Sequence, residues 1–398
     1  MEAQATTNGN ARLGDYLRRL RTGYGYSLRR VEERVRADGG EIDNSQLCRY
    51  EKGISFPSFD KVCLLASVFN VPIQSFADVI DLESFERHPD AGVDASELIE
   101  DGRMLMRQGE HGAAFVRFER ALELLSACSP EQQRDALIGE ARVRLAGSLI
   151  RLGKLALAEQ ELRAALRNGN RLAADVRVRA LLGLSHIHAA AGERFFAEIE
   201  AEEARRLARK KGMHRYVALA LQATARILAD RGKLAKAIER FHQASRLFDS
   251  CGDHAGTVHS RIGIANCYIE MGRYSAGTRF VLNALARARK AGRHGLQALA
   301  WSTLGRAHYY KNDMSRSVAC LRKSDNLVTR GDTLQPDLLF GNAYYVWQMA
   351  LQNGSPTRQR LMLGRLKALR SGVSGRSPET AVFDEYVAGR GRDPVALV

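Results

Sequence analysis

The feature that most constrains this sequence is an internal repeat of about forty residues, which begins near residue 95. A small residue recurs at spacings of 44, 39, 40, 40 and 40, at Gly102, Ala146, Ser185, Ala225, Ala265 and Gly305. Seven positions later comes a residue suited to a turn: Gly109, Gly153, Gly192, Gly232, Gly272 or Asn312. Five positions after that, a small residue returns at Ala114, Ala158, Ala197, Ala237, Gly277 and Ser317. This register predicts helical hairpins that stack in a row and bury small residues where two helices cross.

The second helix of each predicted hairpin continues the register. An apolar or small residue recurs at Phe118, Leu162, Ala201, Phe241, Val281 and Leu321, and three positions on at Ala121, Ala165, Ala204, Ala244, Ala284 and Ser324. The pattern resembles the tetratricopeptide repeat, with its usual period lengthened. A degenerate seventh hairpin over residues 338–351 and 358–369 is expected to cap the array. The resemblance implies a right-handed superhelix of about seven hairpins, whose concave wall is lined by the first helices.

Polar residues on these first helices are the candidates for binding a ligand. Asparagine can bond both the donor and the acceptor of an extended backbone, and arginine can clamp a carboxylate. These residue types predict a groove for a short peptide, although an ordinary solvated groove explains the same pattern. The candidate ligand-binding residues are His186, Gln222, Arg226, Asn266, Arg306, Tyr309 and Asn342.

Residues 11–80 lack the repeat and predict five short helices around one apolar core. The buried side of each helix is marked by apolar residues at three- and four-residue spacing. Ser27 is placed to cap the second helix. Asn70, Val71 and Pro72 are expected to end the fourth helix before the fifth begins. The helices together make a domain of about 65 residues, a size that can fold alone. The core positions include Leu13, Leu17, Leu20, Leu28, Val31, Val35, Leu47, Tyr50, Phe59, Val62, Leu65, Ala66 and Phe69.

The stretch from Asp43 to Gly53 is expected to form the third of these helices. The Asp43 carboxylate can accept from the free amides of the first turn, and Gly53 suits the left-handed position that ends a helix. Leu47 and Tyr50 fall on one face and can pack inward. The residues that project away from this face are Asn44, Ser45 and Arg49.

Several segments in this region resemble the Cro/phage-repressor (Xre) helix-turn-helix family. They are Leu17-Arg-Arg-Leu-Arg21, Ser27-Leu-Arg-Arg-Val31, Leu47-x-x-Tyr-Glu-x-Gly53, Pro57-Ser-Phe and Leu65-Ala to Val71-Pro. The resemblance covers residues 11–77 and implies a buried ion pair between Arg21 and Glu51. It also implies that the helix after Asp43 reads base edges, although residues 36–42 form a longer turn than the family usually has.

The DNA contacts that this resemblance implies fall on two helices. An arginine can grip the guanine edge and an asparagine can pair with adenine in the major groove. Taken alone, the same residues could simply start a helix or be solvated. Arg29 and Arg30 correspond to a helix start that usually meets the phosphate backbone. The candidate DNA-binding residues are Asn44, Ser45, Gln46, Arg49, Arg29 and Arg30.

The net charge of +15 is not concentrated in this domain. Residues 1–80 hold 11 Lys and Arg against 10 Asp and Glu, so most of the excess lies downstream. What the domain does show is clustering of arginine within two short helices, which is the pattern that phosphate binding requires. The clustered residues are Arg12, Arg18, Arg19, Arg21, Arg29 and Arg30.

Other function classes find little support in the 398 residues. We find no glycine-rich phosphate loop, nucleophile elbow or metal-spaced cluster, so neither an enzyme nor a cofactor or metal is expected. His186 and His188 are two apart and would point away from each other on a helix. No apolar run is long enough for a membrane span. Six scattered cysteines without Cys-x-x-Cys spacing indicate reduced thiols, as in a cytoplasmic protein.

The order of the two regions completes an all-α interpretation. A repressor-type head followed by such repeats resembles the peptide-pheromone receptor regulators of the Rap/Rgg/PlcR group. The resemblance implies a homodimer on double-stranded DNA, with a short peptide in the groove. The alternative is a regulator or adaptor whose array binds a protein partner. The expected organisation is a disordered 1–10, the helix-turn-helix domain 11–80, a linker 81–94, the repeats 95–370 and a tail 371–398 with a possible last helix over 379–387.

Overall fold

The protein is described here by a computed structural model, which covers residues 11–85, 93–127, 132–167, 172–329, 335–373 and 377–389. The regular elements in these ranges are all helices, as the sequence predicts. The chain divides into two compact units, Met1–Asn168 and Gly169–Val398. The predicted residues 1–10 and parts of the predicted linker and tail lie outside the described residues. The predicted domain boundaries therefore stay predictions.

The first unit contains five short helices and then two longer pairs. Phe59 was expected in the core of the short helices, but it is the first residue of the fourth helix and is 71% exposed, so that prediction was wrong. Ser27, Asp43 and Pro72 have extended backbone conformations and directly precede the second, third and fifth of these helices. The helices are α1 (Ala11–Gly23), α2 (Leu28–Ala37), α3 (Asn44–Glu51), α4 (Phe59–Val68), α5 (Ile73–Leu82), α6 (Ala95–Gln108), α7 (His111–Ala127), α8 (Gln132–Arg151) and α9 (Leu155–Arg167).

The second unit continues the paired arrangement and ends in a shorter helix. Its first helices pack on one another in sequence, α10 on α12, α12 on α14, α14 on α16 and α16 on α18, so they share one face. The helices are α10 (Ala174–Ala191), α11 (Arg194–Lys210), α12 (His214–Asp230), α13 (Leu234–Ser250), α14 (His254–Glu270), α15 (Tyr274–Lys290), α16 (His294–Tyr310), α17 (Met314–Thr329), α18 (Pro336–Gln352), α19 (Pro356–Arg370) and α20 (Pro378–Val387).

The turn between the helices of a pair depends on a left-handed residue. The predicted turn positions have φ values of 92°, 77°, 82°, 71°, 73° and 60°, at Gly109, Gly153, Gly192, Gly232, Gly272 and Asn312. Glycine takes this conformation without a Cβ clash, and asparagine is among the few other residues that tolerate it. The repeated glycine therefore marks the end of each first helix.

The two helices of a pair cross where the sequence repeats small residues. The Ser185 hydroxyl donates to the Ala197 carbonyl at 2.8 Å, and the Ser317 hydroxyl donates to the Gly305 carbonyl at 2.9 Å. Both bonds join the two predicted small positions of one pair across the crossing. Ala225 and Ala237 occupy the same positions in another pair and are completely buried. The small side chains let the backbones approach closely.

A matched pair of glycine substitutions tests this close approach. A Cβ on Gly102 would lie 2.5 Å from the buried Phe118 ring, whereas a Cβ on Gly147 meets nothing within 4 Å. Both lie inside helices, so alanine should add up to about 1 kcal/mol of helix propensity at each. We expect Gly147→Ala to be neutral or stabilising and Gly102→Ala to destabilise by about 1–3 kcal/mol because it overpacks the crossing. Urea unfolding measures both, and equal effects would contradict the crossing geometry.

Within the first unit, α1 and α5 pack against α7 and α9. Arg12 is 4% exposed, and its Nε bonds both Glu119 carboxylate oxygens at 3.0 and 2.9 Å. The Lys154 ammonium lies 2.5 Å from Asp81 and 3.4 Å from Asp78. These contacts join residues far apart in sequence, so the short helices and the first two helix pairs form one packed body.

None of the helices in the described part of the chain is, by itself, long and apolar enough to cross a membrane. Helices α4 and α5 pass that test only when taken together, by length and composition, and the break between them bends by 119°.

Candidate functional sites

Helix α3 begins as the sequence predicts and exposes most of the predicted DNA contacts. The Asp43 carboxylate accepts from the Gln46 amide at 2.7 Å, which satisfies one free donor of the first turn. Leu47 and Tyr50 are buried. The Gln46 side chain is half-buried and accepts from the Lys61 ammonium at 3.0 Å. The exposed residues are Asn44, Ser45 and Arg49.

The C-terminal end of α3 is tied to α1 by an ion pair. Arg21 donates from Nε to Glu51 Oε1 at 2.6 Å and from Nη2 to Oε2 at 2.9 Å, so the contact is bidentate. Glu51 is 8% exposed, and Arg18 bonds its backbone carbonyl at 3.3 Å. The hydrogen bonds that Arg21 donates to the Glu51 carboxylate raise the pKa of Arg21. The arrangement holds α3 in one orientation relative to the core.

A glycine that sequence analysis did not single out makes this junction possible. A Cβ on Gly14 would lie 2.7 Å from the Glu51 carbonyl oxygen and 2.8 Å from that of Tyr50. Any larger residue would therefore push α1 away from the end of α3. The sequence signal was available, since glycine inside a helix costs stability and calls for a packing reason.

The long turn before α3 is packed against α4. Ile42 is 3% exposed, and a Cβ on Gly40 would lie 2.4 Å from the Leu64 side chain. Gly39 adopts a φ of 81°, which glycine tolerates. The turn therefore contacts α4 immediately before α3 begins.

The predicted cluster of arginines divides into exposed and internally bonded members. Arg12 is buried against Glu119, Arg21 bonds Glu51, and the exposed Arg19 lies 3.2 Å from Glu161. The expectation of one phosphate-binding cluster was therefore wrong for Arg12, whose guanidinium is buried against an internal carboxylate. Arg21 forms the ion pair with Glu51 that the resemblance implies, and Arg19 stays exposed beside Glu161. Arg29 and Arg30 are exposed, and both lie near Glu33, at 3.7 and 3.0 Å.

In the second unit, several predicted groove residues lie in register on neighbouring first helices. His186, Arg226, Asn266 and Arg306 recur every forty residues on α10, α12, α14 and α16. His186 and Arg226 are exposed, whereas Asn266 and Arg306 are half-buried. The Arg306 guanidinium donates to Asn266 Oδ1 at 2.8 Å, and Gln222 donates to the Ser260 hydroxyl at 3.2 Å. We call the row of His186, Arg226, Asn266 and Arg306 the inner row.

Two predicted groove residues do not reach an open surface. Tyr309 is 4% exposed, packs against Tyr345 with ring centroids 5.2 Å apart, and accepts from Gln352. Asn342 is 1% exposed and donates to Ser324 and Asp325 at 3.0 and 2.8 Å. The prediction that these two residues line a ligand groove was therefore wrong. The neighbouring helix covers Tyr309, and the Asn342 amide is engaged by internal acceptors.

Two acidic residues beside the inner row were not identified from the sequence. Asp230 and Glu270 follow Arg226 and Asn266 by one helical turn on α12 and α14, and both are exposed. The surrounding helices nevertheless exclude much of their water, and this desolvation raises the pKa of each carboxyl group. The forty-residue register, applied four positions later, would have found them. The face therefore carries both signs of charge, as recognition of a zwitterionic chain requires.

Helix α20 brings a further carboxylate to this face. Glu379 lies 3.8 Å from the Arg306 guanidinium and accepts from the Tyr345 hydroxyl at 2.9 Å. The start of α20 is held by a capping box between Ser377 and Thr380. Phe383 anchors the helix against Phe340 and Trp347. Glu379 therefore occupies one side of Arg306 that a ligand carboxylate would also use.

Among the described residues, no three His, Cys, Asp or Glu side chains lie close enough together to hold a metal ion. Two buried cysteines, Cys267 on α14 and Cys320 on α17, are not activated as nucleophiles, because burial raises the pKa of Cys267 to about 12 and also raises that of Cys320.

Comparison with known proteins identifies similar folds but shows no family for this chain. No protein-family model matches the chain, and no curated protein matches it. Among solved structures, Rap protein complexed with competence and sporulation factor has a TM-score of 0.56 at 14% identity, over 90% of this chain and 98% of that one.

Two further structures are similar. NprR in complex with its cognate peptide NprX has a TM-score of 0.53 at 13% identity, covering 77% of this chain and 88% of that one. The apo form of RapI has a TM-score of 0.53 at 11% identity, covering 70% and 97%. At such identities the likeness concerns the fold, and it supports an array of the tetratricopeptide type.

Proposed function

We propose that the protein is a sequence-specific transcription regulator in which a repeat array senses a peptide and controls a DNA-binding head. In this proposal α1–α5 form an Xre-type helix-turn-helix domain, and α3 enters the major groove. The inner row binds the peptide, and the active form is a homodimer on double-stranded DNA. The peptide-sensing role is supported by two of the similar structures, NprR in complex with its cognate peptide NprX and Rap protein complexed with competence and sporulation factor.

The observation that carries the proposal is the way α3 is presented. Its buried side is fixed by Leu47 and Tyr50, and its last turn is tethered by the Arg21–Glu51 pair. Its other side exposes Asn44 and Arg49, two side chains that can pair with base edges. A short helix needs such external support to present side chains in one fixed geometry.

The inner row supports a peptide as the signal. Arg226 and Arg306 can bond carboxylates, Asn266 can bond backbone amides, and Asp230 and Glu270 can meet a cationic group. A face with both signs of charge fits a chain with a charged N-terminus and C-terminus. For the peptide to control DNA binding, it must bind the two states of the dimer with different affinity.

Replacing Arg49 tests the DNA-binding assignment. We expect wild-type protein to select a defined sequence from random duplexes and Arg49→Ala to lose about 1–3 kcal/mol of discrimination at one base pair. Binding to unrelated DNA should change little, because that binding depends on total charge. Arg316→Ala is the control for charge. It removes an exposed arginine of α17 that is paired with Asp313. Unchanged selectivity in Arg49→Ala would refute the role of α3.

A pair of substitutions with opposite expected signs tests the inner row. Peptides selected on the wild-type protein from a random library should bind Arg306→Met about tenfold or more weakly, because a charged hydrogen bond is lost. Glu379→Gln should bind the same peptides more tightly when they carry a free carboxylate, since the internal competitor of Arg306 is removed. Calorimetry measures both. If both variants bind like wild type, the ligand contacts lie elsewhere, and co-purification of a protein would instead support the adaptor alternative.

A further inference from the structure

A basic cleft lies apart from the inner row, where α11, α12 and α13 meet. Its volume is about 470 Å³, within the range typical of small-molecule sites. Its floor is formed by the apolar side chains of Val217, Leu221 and Leu247. None of the candidate ligand-binding residues lines it. The cationic or titratable residues in its lining are Arg205, Arg209, His214, Arg240 and Arg246.

The cleft is electropositive because its arginines are only partly neutralised. Arg205 makes a bidentate bond to Glu202 at 2.8 and 2.5 Å, and Arg240 donates to the neutral Gln243 amide at 3.1 Å. Among the described residues that line the cleft there is no aspartate or glutamate. Bonding to Arg205 lowers the pKa of Glu202, and the charge of Arg240 adds to that shift. An approaching anion therefore meets guanidinium groups that carboxylates do not fully engage.

The repeat provides an internal comparison that isolates these arginines. Forty residues later, the positions of Arg205, Arg209, Arg240 and Arg246 are taken by Ser245, Asp249, Phe280 and Ala286. The turn beside the cleft is unchanged, since Gly212 and His214 correspond to Gly252 and His254. Asp249 there bonds Arg287 at 2.7 Å. The repeat fold therefore does not require arginine at these positions, so the arginines call for another explanation.

We propose that this cleft binds a small phosphorylated molecule. The guanidinium groups of Arg209, Arg240 and Arg246 bond the phosphate, because arginine offers several donors in a geometry that matches phosphate oxygens. An apolar or aromatic part of the molecule covers Val217 and Leu221. A duplex backbone needs exposed cations but no recessed apolar floor, so the combination favours a compact phosphate ester over DNA. This site is independent of the proposed peptide and DNA functions.

The test measures binding of pyrophosphate and ADP to the full-length protein by calorimetry. Both should bind saturably and more weakly as salt rises, and ADP should bind more tightly because its base covers the apolar floor. Arg209→Asp gives the cleft the residue of the following repeat, and Arg246→Ala does the same at a second position. We expect each to weaken ADP binding about tenfold or more. Arg293→Ala, in the neighbouring cleft with Arg215 and Asp253, serves as the matched control and should bind ADP like wild type.

Several outcomes would overturn the proposal. Failure of the wild-type protein to bind either compound saturably would do so, as would binding that both cleft variants retain. An equal loss in Arg293→Ala would show a general charge effect and not a site. If only duplex DNA binding depended on Arg209 and Arg246, the cleft would be a nucleic-acid contact. Melting temperatures of all variants check that the array remains folded.

Discussion

Arg21→Met is expected to destabilise the first unit by about 3 kcal/mol and to abolish selective DNA binding. The substitution leaves Glu51, which is 8% exposed, without its bidentate partner. Uncompensated burial of a charge accounts for most of the loss, because its desolvation is no longer offset. Arg18 lies 3.8 Å from the same carboxylate and keeps the effect at the lower end of the range for buried pairs.

The double variant Arg21→Met with Glu51→Leu separates charge from packing. Replacing both partners with apolar residues should restore most of the lost stability, since no buried charge remains. Urea unfolding of the three proteins measures this, together with Arg30→Met as a control. Arg30 is exposed and paired with Glu33, so its removal should change stability by less than about 1 kcal/mol. A double variant as unstable as Arg21→Met would show that packing, not charge, sets the effect.

Arg12→Met is expected to destabilise the same unit by about 3–5 kcal/mol and to loosen the junction between α1, α5 and α7. Besides Glu119, the Arg12 guanidinium bonds the carbonyl oxygens of Leu82 and Phe85. Its loss removes the guanidinium donors to the two carbonyl oxygens and to the partly buried Glu119 carboxylate. Hydrogen exchange should then accelerate in α1 and α5, while the second unit keeps its protection.

Arg19→Met is the matched control for this junction. Arg19 is also on α1 and also meets a carboxylate of the repeats, Glu161, but it is 62% exposed. Glu161 keeps Arg142 at 2.7 Å when Arg19 is removed. We therefore expect a loss below about 1 kcal/mol. Comparable losses in both variants would contradict the special position of Arg12.

Much of the fold could be predicted because its determinants are local or periodic. Asp43 caps α3 as predicted, and Gly109 and Asn312 form left-handed turns where the repeat places them. Capping and turn formation depend on neighbouring residues only, so they can be seen without knowledge of tertiary contacts.

The candidate sites were less predictable because they depend on contacts between residues that are far apart in the sequence. Sequence spacing grouped Arg12 and Arg19 in one basic cluster, yet their carboxylate partners lie 107 and 142 residues away. Asn342 has the right residue type for a peptide contact, but neighbouring helices bury it. Residue type and register therefore indicated where polar groups recur, without showing which of them stay open to solvent.

By itself, the sequence determined the helical repeat, its turns, and the caps and apolar faces of the short N-terminal helices. These follow from periodicity and from short-range hydrogen bonding. Only the tertiary structure decided which charges are engaged: α20 places Glu379 beside Arg306, and α11, α12 and α13 leave Arg209 and Arg246 around one cleft. The physical reason is that solvation and pairing of a charge depend on every group that surrounds it, and those groups come from distant parts of the chain.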